Sequence, residues 1–164
     1  MKIEVTKTLL EHKSILTNLL ELYAYDFSEF CDFDIGPDGL YGYEHLPLYW
    51  TDPNRYPHLI YVDGLLAGFI LIQKGSSIVG GEDVWDVTEF FVLRKYRRKK
   101  VGSMAALDVW SRFKGQWQVR VLSKNKKAQA FWLQAVGRFA GSKNIPMNVE
   151  VKDKLWDVYR FDSK

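Results

Sequence analysis

A chain of 164 residues with 47% hydrophobic and 15% aromatic content carries enough apolar side chain for one folded core, which excludes a disordered chain. A single cysteine, Cys31, excludes an internal disulfide and fits a reducing compartment, so the expected location is the cytoplasm; His12, His45 and His58 lack metal-ligand spacing, so no metal site is expected. The net charge of +3 hides a division: residues 14–54 hold eight acids and no Lys or Arg, while residues 94–127 hold twelve Lys or Arg and one acid, Asp108.

The N-terminal stretch MKIEVTKTLLEHKS has no long uncharged apolar run, so no secretory signal is expected, and no segment reaches the length of a membrane span. Lys2 to Thr6 alternates as an edge strand would. Leu9, Leu10, Ile15, Leu16, Leu19, Leu20 and Tyr23 then recur at helical spacing, which predicts a helix from Thr8 to Asp26. Residues 26–54 are rich in Gly, Pro, Asp and aromatics, predicting loops with one short helix near Glu44–Trp50.

A hairpin follows, His58–Val62 and Leu65–Gln73 joined by Asp63-Gly64, a strong turn dipeptide. Gly75–Asp83 reads as a loop and Val84–Leu93 as a long strand. Ala106, Val109, Trp110 and Phe113 share a face, predicting a helix over Val101–Lys114 that Gly115 caps. Trp117–Leu122 is a strand, Lys126–Val136 a helix, and Asn148–Lys152 and Leu155–Phe161 are two closing strands. Strands and helices in this order make a single α/β domain with a mixed sheet. Trp85, Trp110, Trp117 and Trp156 fit packing positions.

Between the long strand and the next helix runs Arg94-Lys-Tyr-Arg-Arg-Lys-Lys100. Helix N-termini expose free N–H groups and a partial positive charge, so they attract anions and disfavour cations. Arg97, Arg98, Lys99 and Lys100 crowd one such terminus, and Lys126 and Lys127 follow the N-cap residue Asn125 at another. Either set alone reads as solvated surface charge, at a cost under about 1 kcal/mol each. Two such starts after consecutive strands point to a polyphosphate ligand.

These segments resemble the Gcn5-related N-acetyltransferase family. Arg97-Arg98-Lys99-Lys100-Val101-Gly102 is similar to its coenzyme A loop, Arg/Gln-x-x-Gly-x-Gly/Ala, and Tyr96-Arg97 to the lead-in common there. Asn125-Lys-Lys-Ala128-Gln-Ala-Phe131-Trp132 is similar to the family's Asn-x-x-Ala-x-x-Phe-Tyr, at matching distance. The resemblance covers Leu59 to Phe139 by motif and the whole chain by element order. It implies a mixed central sheet of about six to seven strands flanked by helices, and acetyl-CoA as co-substrate. It further implies that backbone N–H groups of Lys99, Lys100, Val101, Gly102, Ser103 and Met104 cradle the pyrophosphate, and that Arg97, Arg98 and the neighbouring lysines meet the adenosine phosphates. Phe91 and Val92 would pair their backbone with the pantetheine arm, Asn125 would contact it from the other side, and Ala128 and Phe131 would leave room for it. Gly102, lacking Cβ, would allow close approach to phosphate. Two positions depart from the pattern: Lys100 replaces the first glycine, and Trp132 stands where many relatives have the tyrosine that protonates the leaving thiolate. An indole N–H cannot serve as that acid.

Amide formation from a thioester needs a neutral amine and a polarised carbonyl. The backbone N–H of Val92 could polarise the carbonyl. Glu89, flanked by apolar residues in Asp86-Val-Thr-Glu-Phe-Phe-Val92, is the candidate base, with Asp86 second. In the family the early helices and their loop line the acceptor site. Here that is the acidic aromatic block, from which Asp26, Glu29, Tyr41 and Trp50 are chosen as acceptor contacts, together suiting an ammonium group. The reading is therefore an N-acetyltransferase acting on a primary amine, a cationic small molecule or a lysine side chain, as a monomer or homodimer, with no nucleic-acid or membrane partner. Two alternatives stand beside it: a coenzyme A-binding protein of the same fold with impaired catalysis, and a nucleic-acid-binding module using the basic runs.

Overall fold

The computed structural model describes residues 1–76, 81–141 and 145–164. In chain order these form β1 (Ile3–Lys7), a 3₁₀ turn (Leu10–His12), α1 (Lys13–Phe27), α2 (Leu48–Thr51), β2 (Arg55–Val62), β3 (Leu65–Ser76) and β4 (Gly81–Val92). A second 3₁₀ turn (Arg94–Tyr96) leads to α3 (Val101–Arg112), β5 (Gly115–Leu122), α4 (Lys126–Ala140), β6 (Met147–Val151) and β7 (Lys154–Ser163). The strands make one seven-stranded mixed sheet in the order β1-β2-β3-β4-β5-β7-β6, and among the described residues no helix is long and apolar enough to cross a membrane.

The expected hairpin forms because Asp63 and Gly64 both take positive φ, 50° and 77°, the pair a tight two-residue turn between twisted strands requires. Part of the predicted Gly75–Asp83 loop, residues 77–80, lies outside the described residues; on either side of it the strands run farther than expected, to Ser76 and from Gly81. The first helix starts later than its apolar spacing implied. Thr8 is buried and gives its N–H to the Pro57 carbonyl at 2.8 Å, so the chain stays extended along β2 before turning. At the other end of α3, Phe113 is the C-cap, its N–H on Val109 O at 3.0 Å, and Gly115 (φ 122°) opens β5 instead of closing the helix.

Helices cover both faces of the sheet. On one face Val109, Trp110, Trp132 and Val136 of α3 and α4 pack on Ile70, Ile72, Val87, Val119 and Val121. On the other, Leu16, Leu19 and Leu20 of α1, with Tyr49 of α2, pack on Leu59, Phe69, Leu71 and Phe91. Leu16 is fully buried, and its truncation to Ala would cost about 2–5 kcal/mol.

Two features of β4 set up the site. Glu89 pairs with Leu71 of β3 but Val87 pairs with Ile72, which leaves Thr88 as an extra, bulged residue. Its hydroxyl donates to Leu71 O at 3.0 Å and accepts from the Tyr49 hydroxyl at 2.6 Å. A bulge puts two successive residues, Thr88 and Glu89, toward the α1 layer. On its other edge β4 pairs in parallel with β5 only at Trp85, Asp86 and Val87. Beyond that β4 follows β3 to Val92 while β5 follows β7 to Leu122, so the two strands part.

Candidate active site

The parting of β4 and β5 opens a groove lined by Tyr23 and Phe27 of α1, Glu89 and Phe90 of β4, Arg120 of β5, Asn125, Ala128 and Trp132 at the start of α4, and Trp156 of β7. Strand geometry leaves backbone donors along the β4 edge that borders it. The Leu93 N–H goes to Ala67 O on the β3 side at 2.8 Å, so the N–H groups of Val92 and Phe90, displaced by odd numbers of residues, face the β5 side, where among the described residues no strand pairs with β4 beyond Val87. Unpaired strand edges are ready to bind an extended amide-bearing chain. Val92, a sequence candidate, is one of these; Phe90 was not, and its ring stacks on Phe131 at 5.6 Å and leans on Trp132 at 5.0 Å to form the groove's floor. Phe91 is buried beneath α1, its ring facing away from the groove and toward Tyr23 and Phe69.

Glu89 is half-buried and held by two phenols from distant parts of the chain. The Tyr23 hydroxyl donates to Oε2 at 2.5 Å and the Tyr43 hydroxyl to Oε1 at 3.1 Å. Burial pushes the Glu89 carboxyl above its ordinary value; the Tyr23 hydrogen bond, the Arg120 charge and Tyr43 pull it back without cancelling the rise, and Asp86 adds to it. The same burial, with the carboxylate's charge, drives both tyrosines upward, so they stay phenols and donors. Asp86, the second candidate, is fully buried and has Arg120 as its partner, Nη2 lying 3.1 Å from Oδ2. Burial raises it too, against the pull of Arg120. Asp86 does not line the groove, whereas Glu89 does.

At the start of α3, Lys100 is the N-cap in left-handed geometry (φ 64°, ψ 0°) and no side chain caps the helix. The position usually given to glycine thus keeps glycine's conformation with a lysine in it, a strain of about 1 kcal/mol. Arg98 is left-handed as well, at φ 61°. The Ser103 hydroxyl turns back to Lys100 O at 3.0 Å. Arg98, Lys99, Lys100 and Met104 are exposed around this terminus, while Val101 is buried beneath it. An uncapped helix start ringed by cations fits a pyrophosphate. Gly102 also has a packing role: a Cβ there would press on the Phe131 ring at 3.2 Å and meet Phe90 at 3.4 Å, so its absence lets α3 seat against α4. At the start of α4, Asn125 supplies its own cap, Oδ1 accepting from the Ala128 N–H at 3.0 Å.

Arg97 is engaged three ways. Its Nε donates to Val92 O at 2.7 Å, its Nη2 to Asp26 Oδ2 at 2.5 Å, and its guanidinium lies 5.5 Å from the Phe91 ring centre. Arg94 holds the other oxygen of Asp26 at 2.6 Å. Asp26, expected on the acceptor side, therefore ties the end of α1 to the basic loop. Trp50 gives its indole N–H to Thr8 O at 3.1 Å and packs against the α1 cluster. Tyr41 is half-buried, its N–H on Glu21 Oε2 at 2.7 Å and its ring against Phe33. Glu29 is exposed. Sequence reasoning missed Tyr23 and Arg120 as site residues; only the 66- and 46-residue separations from Glu89, closed by folding, reveal Tyr23 and Tyr43 as its partners.

The fold recurs among solved structures. An acetyltransferase of the GNAT family from Streptococcus agalactiae is similar with a TM-score of 0.73 at 10% identity, covering 99% of this chain and 96% of its own. An acetyltransferase from Thermus thermophilus gives 0.71 at 13% identity, covering 99% and 97%. PaiA N-acetyltransferase from Thermoplasma acidophilum, solved in complex with coenzyme A, gives 0.68 at 13% identity, covering 99% of each chain. No curated protein matches the sequence. The model of the acetyltransferase (GNAT) family matches residues 17–137, a span that takes in the splayed strands, the basic loop and both helix starts. The chain belongs to the GNAT acetyltransferase family, whose members move an acetyl group from acetyl-CoA.

Proposed function

We propose that this acetyltransferase acetylates a primary amine, a cationic small molecule or a lysine side chain, by direct attack with both substrates bound, and that Glu89 is the base. The observation that carries this reading is a carboxylate at the mouth of the β4–β5 groove, raised by burial and fixed by two phenols. The amine's proton passes to Glu89, the N–H groups of Phe90 and Val92 polarise the thioester carbonyl or hold the arm behind it, and the free N–H groups at the start of α3 take the pyrophosphate. Arg98, Lys99 and Lys100 serve the adenosine phosphates; Arg97 serves them through the loop it braces.

For the acceptor, Glu29, Asp32 and Asp34 are exposed acids in the segment after α1, beside the exposed ring of Tyr25. With Asp26 taken up by arginines, these and Tyr41 are the groups that favour a cation. The lone Cys31 supports a reducing cytoplasmic setting, for a monomer or a homodimer.

Free-thiol release from acetyl-CoA with matched cationic and anionic amines tests the whole reading. Cationic amines should be preferred, and Glu89→Gln should lower kcat by roughly 10²–10⁴-fold while coenzyme A still binds. Because Glu89 must be ionised and burial raises it, kcat/KM should climb with pH through a value above the ordinary carboxylate range; preference for anionic amines would remove the acceptor assignment. A second reading, binding without catalysis, is favoured by one observation: Trp132 is buried against Phe90 and Trp110, so no ionisable group occupies its position. Tight coenzyme A binding with no thiol release by any amine would establish it.

A further inference from the structure

Trp132 leaves the departing thiolate without its usual proton source, and the groove offers a different one. Tyr23 of α1, Glu89 of β4 and Trp132 of α4 line the same groove. Tyr23 is the tyrosine among the groove's lining residues, and its hydroxyl donates to Glu89 Oε2 at 2.5 Å. Tyr43, the other phenol on Glu89, is not among the groove's lining residues.

We propose that Tyr23 is the catalytic acid of this enzyme and that Glu89 resupplies its proton; this rests on the acetyl-transfer reading above. The step balances as follows. The nitrogen lone pair of a neutral amine forms the C–N bond, and the C–S bond breaks with its electron pair going to sulfur. The nitrogen's proton moves to Glu89, the Tyr23 hydroxyl proton moves to sulfur, and the proton on Glu89 crosses the short bond to the Tyr23 oxygen. Amide and free thiol result, with Glu89 again a carboxylate and Tyr23 again a phenol. Because Glu89 returns a proton across that bond as the Tyr23 proton leaves for sulfur, no free phenolate has to exist in a site whose burial disfavours it.

The groups facing Glu89 set the pH behaviour: Tyr23 from α1, Tyr43 from the loop before α2, Tyr49 of α2 through Tyr43, Asp86 of β4 and Arg120 of β5. A phenol that only steadied Glu89 would, on removal, shift the acidic limb of the rate profile upward and leave its plateau. Removing a proton donor lowers the plateau.

The experiment compares the natural protein with Tyr23→Phe and Tyr43→Phe. Phe at position 23 keeps the ring contacts with Phe27, Phe69 and Phe91. Tyr23→Phe should reduce the kcat plateau by about 10²-fold with coenzyme A affinity, read by calorimetry, within about twofold. The thiol of bound coenzyme A, followed by its thiolate absorbance, should ionise about one pH unit higher in Tyr23→Phe, since a donor to sulfur has gone. Tyr43→Phe should move only the acidic limb. A natural plateau and an unchanged thiol ionisation in Tyr23→Phe overturn the assignment. Should that variant not fold, 3-fluorotyrosine introduced at position 23, a stronger acid of nearly the same shape, should lower the bound thiol's ionisation, and an unchanged value overturns it equally. Absence of turnover by the natural protein with every amine removes the acetyl-transfer reading and this one together.

Discussion

The starts of α3 and α4 look alike in sequence and differ in structure. Both follow a strand, both bring lysines into a place the helix dipole disfavours, and the two helices meet where Gly102 faces the Phe131 ring. Yet α4 closes its first turn with its own Asn125 side chain, while α3 has no cap and begins from a left-handed Lys100. A helix that satisfies its own first turn has less to offer an anion. The two starts therefore differ in what they expose: α3 leaves its first-turn N–H groups without a side-chain cap, and α4 borders the groove with Asn125, Ala128 and Trp132.

The sharpest way to break this contrast is to give each start the same negative charge. Ser103→Asp should lower coenzyme A affinity at least about tenfold, or about 1.4 kcal/mol, and Lys127→Asp by less than about threefold, both read by calorimetry. Each aspartate should hold or raise Tm, because a carboxylate in a first turn suits the dipole by about 0.3–1 kcal/mol. Equal losses of affinity would show that the two starts are equivalent after all. Next in size, Asn125→Ala should cost about 1 kcal/mol in denaturant unfolding through the lost cap, a penalty with no counterpart at α3.

A smaller effect separates the basic loop from its brace. Asp26→Asn releases Arg94 while Arg97 keeps its bond to Val92 O, and should tighten coenzyme A binding by about threefold, within the worth of exposed ion pairs. Burial pushes the Asp26 carboxyl up, but the hydrogen bonds and charges of Arg97 and Arg94 outweigh it and hold the group below its ordinary 3.8. A depressed carboxyl stabilises the fold above that value and loses its contribution as pH falls through the lower one. The stability difference between natural and Asp26→Asn protein should thus vanish only on strong acidification. The smallest change is Lys100→Gly, which relieves left-handed strain and gives back some chain entropy, for a net gain of about 0.5 kcal/mol in thermal unfolding.

Local signals carried most of the fold into view. Asp63-Gly64 marked its hairpin because only residues tolerant of positive φ make that turn, and the apolar spacing of residues 101–113 and 126–136 marked α3 and α4. Elements decided by distant partners were misread at their ends: Thr8 looked helical until Pro57 claimed its N–H, and Gly115 looked like a cap until β7 paired with it. The same divide runs through the candidate site. Glu89 and the basic loop stood out from charge set among apolar or helical pattern. Its two phenols and the Asp26–Arg97 tie did not, because 66, 46 and 71 residues of chain intervene and no spacing rule spans them.

Thr88 is a residue too many for a regular strand, and that surplus sits directly after the last β4–β5 pair. Bulges bend and twist the strand that bears them. Deleting this one codon would let the neighbouring strands go on zipping, sealing the cleft with the molecule's own amides. Selection for heat resistance alone would therefore work against the opening that the extra residue keeps.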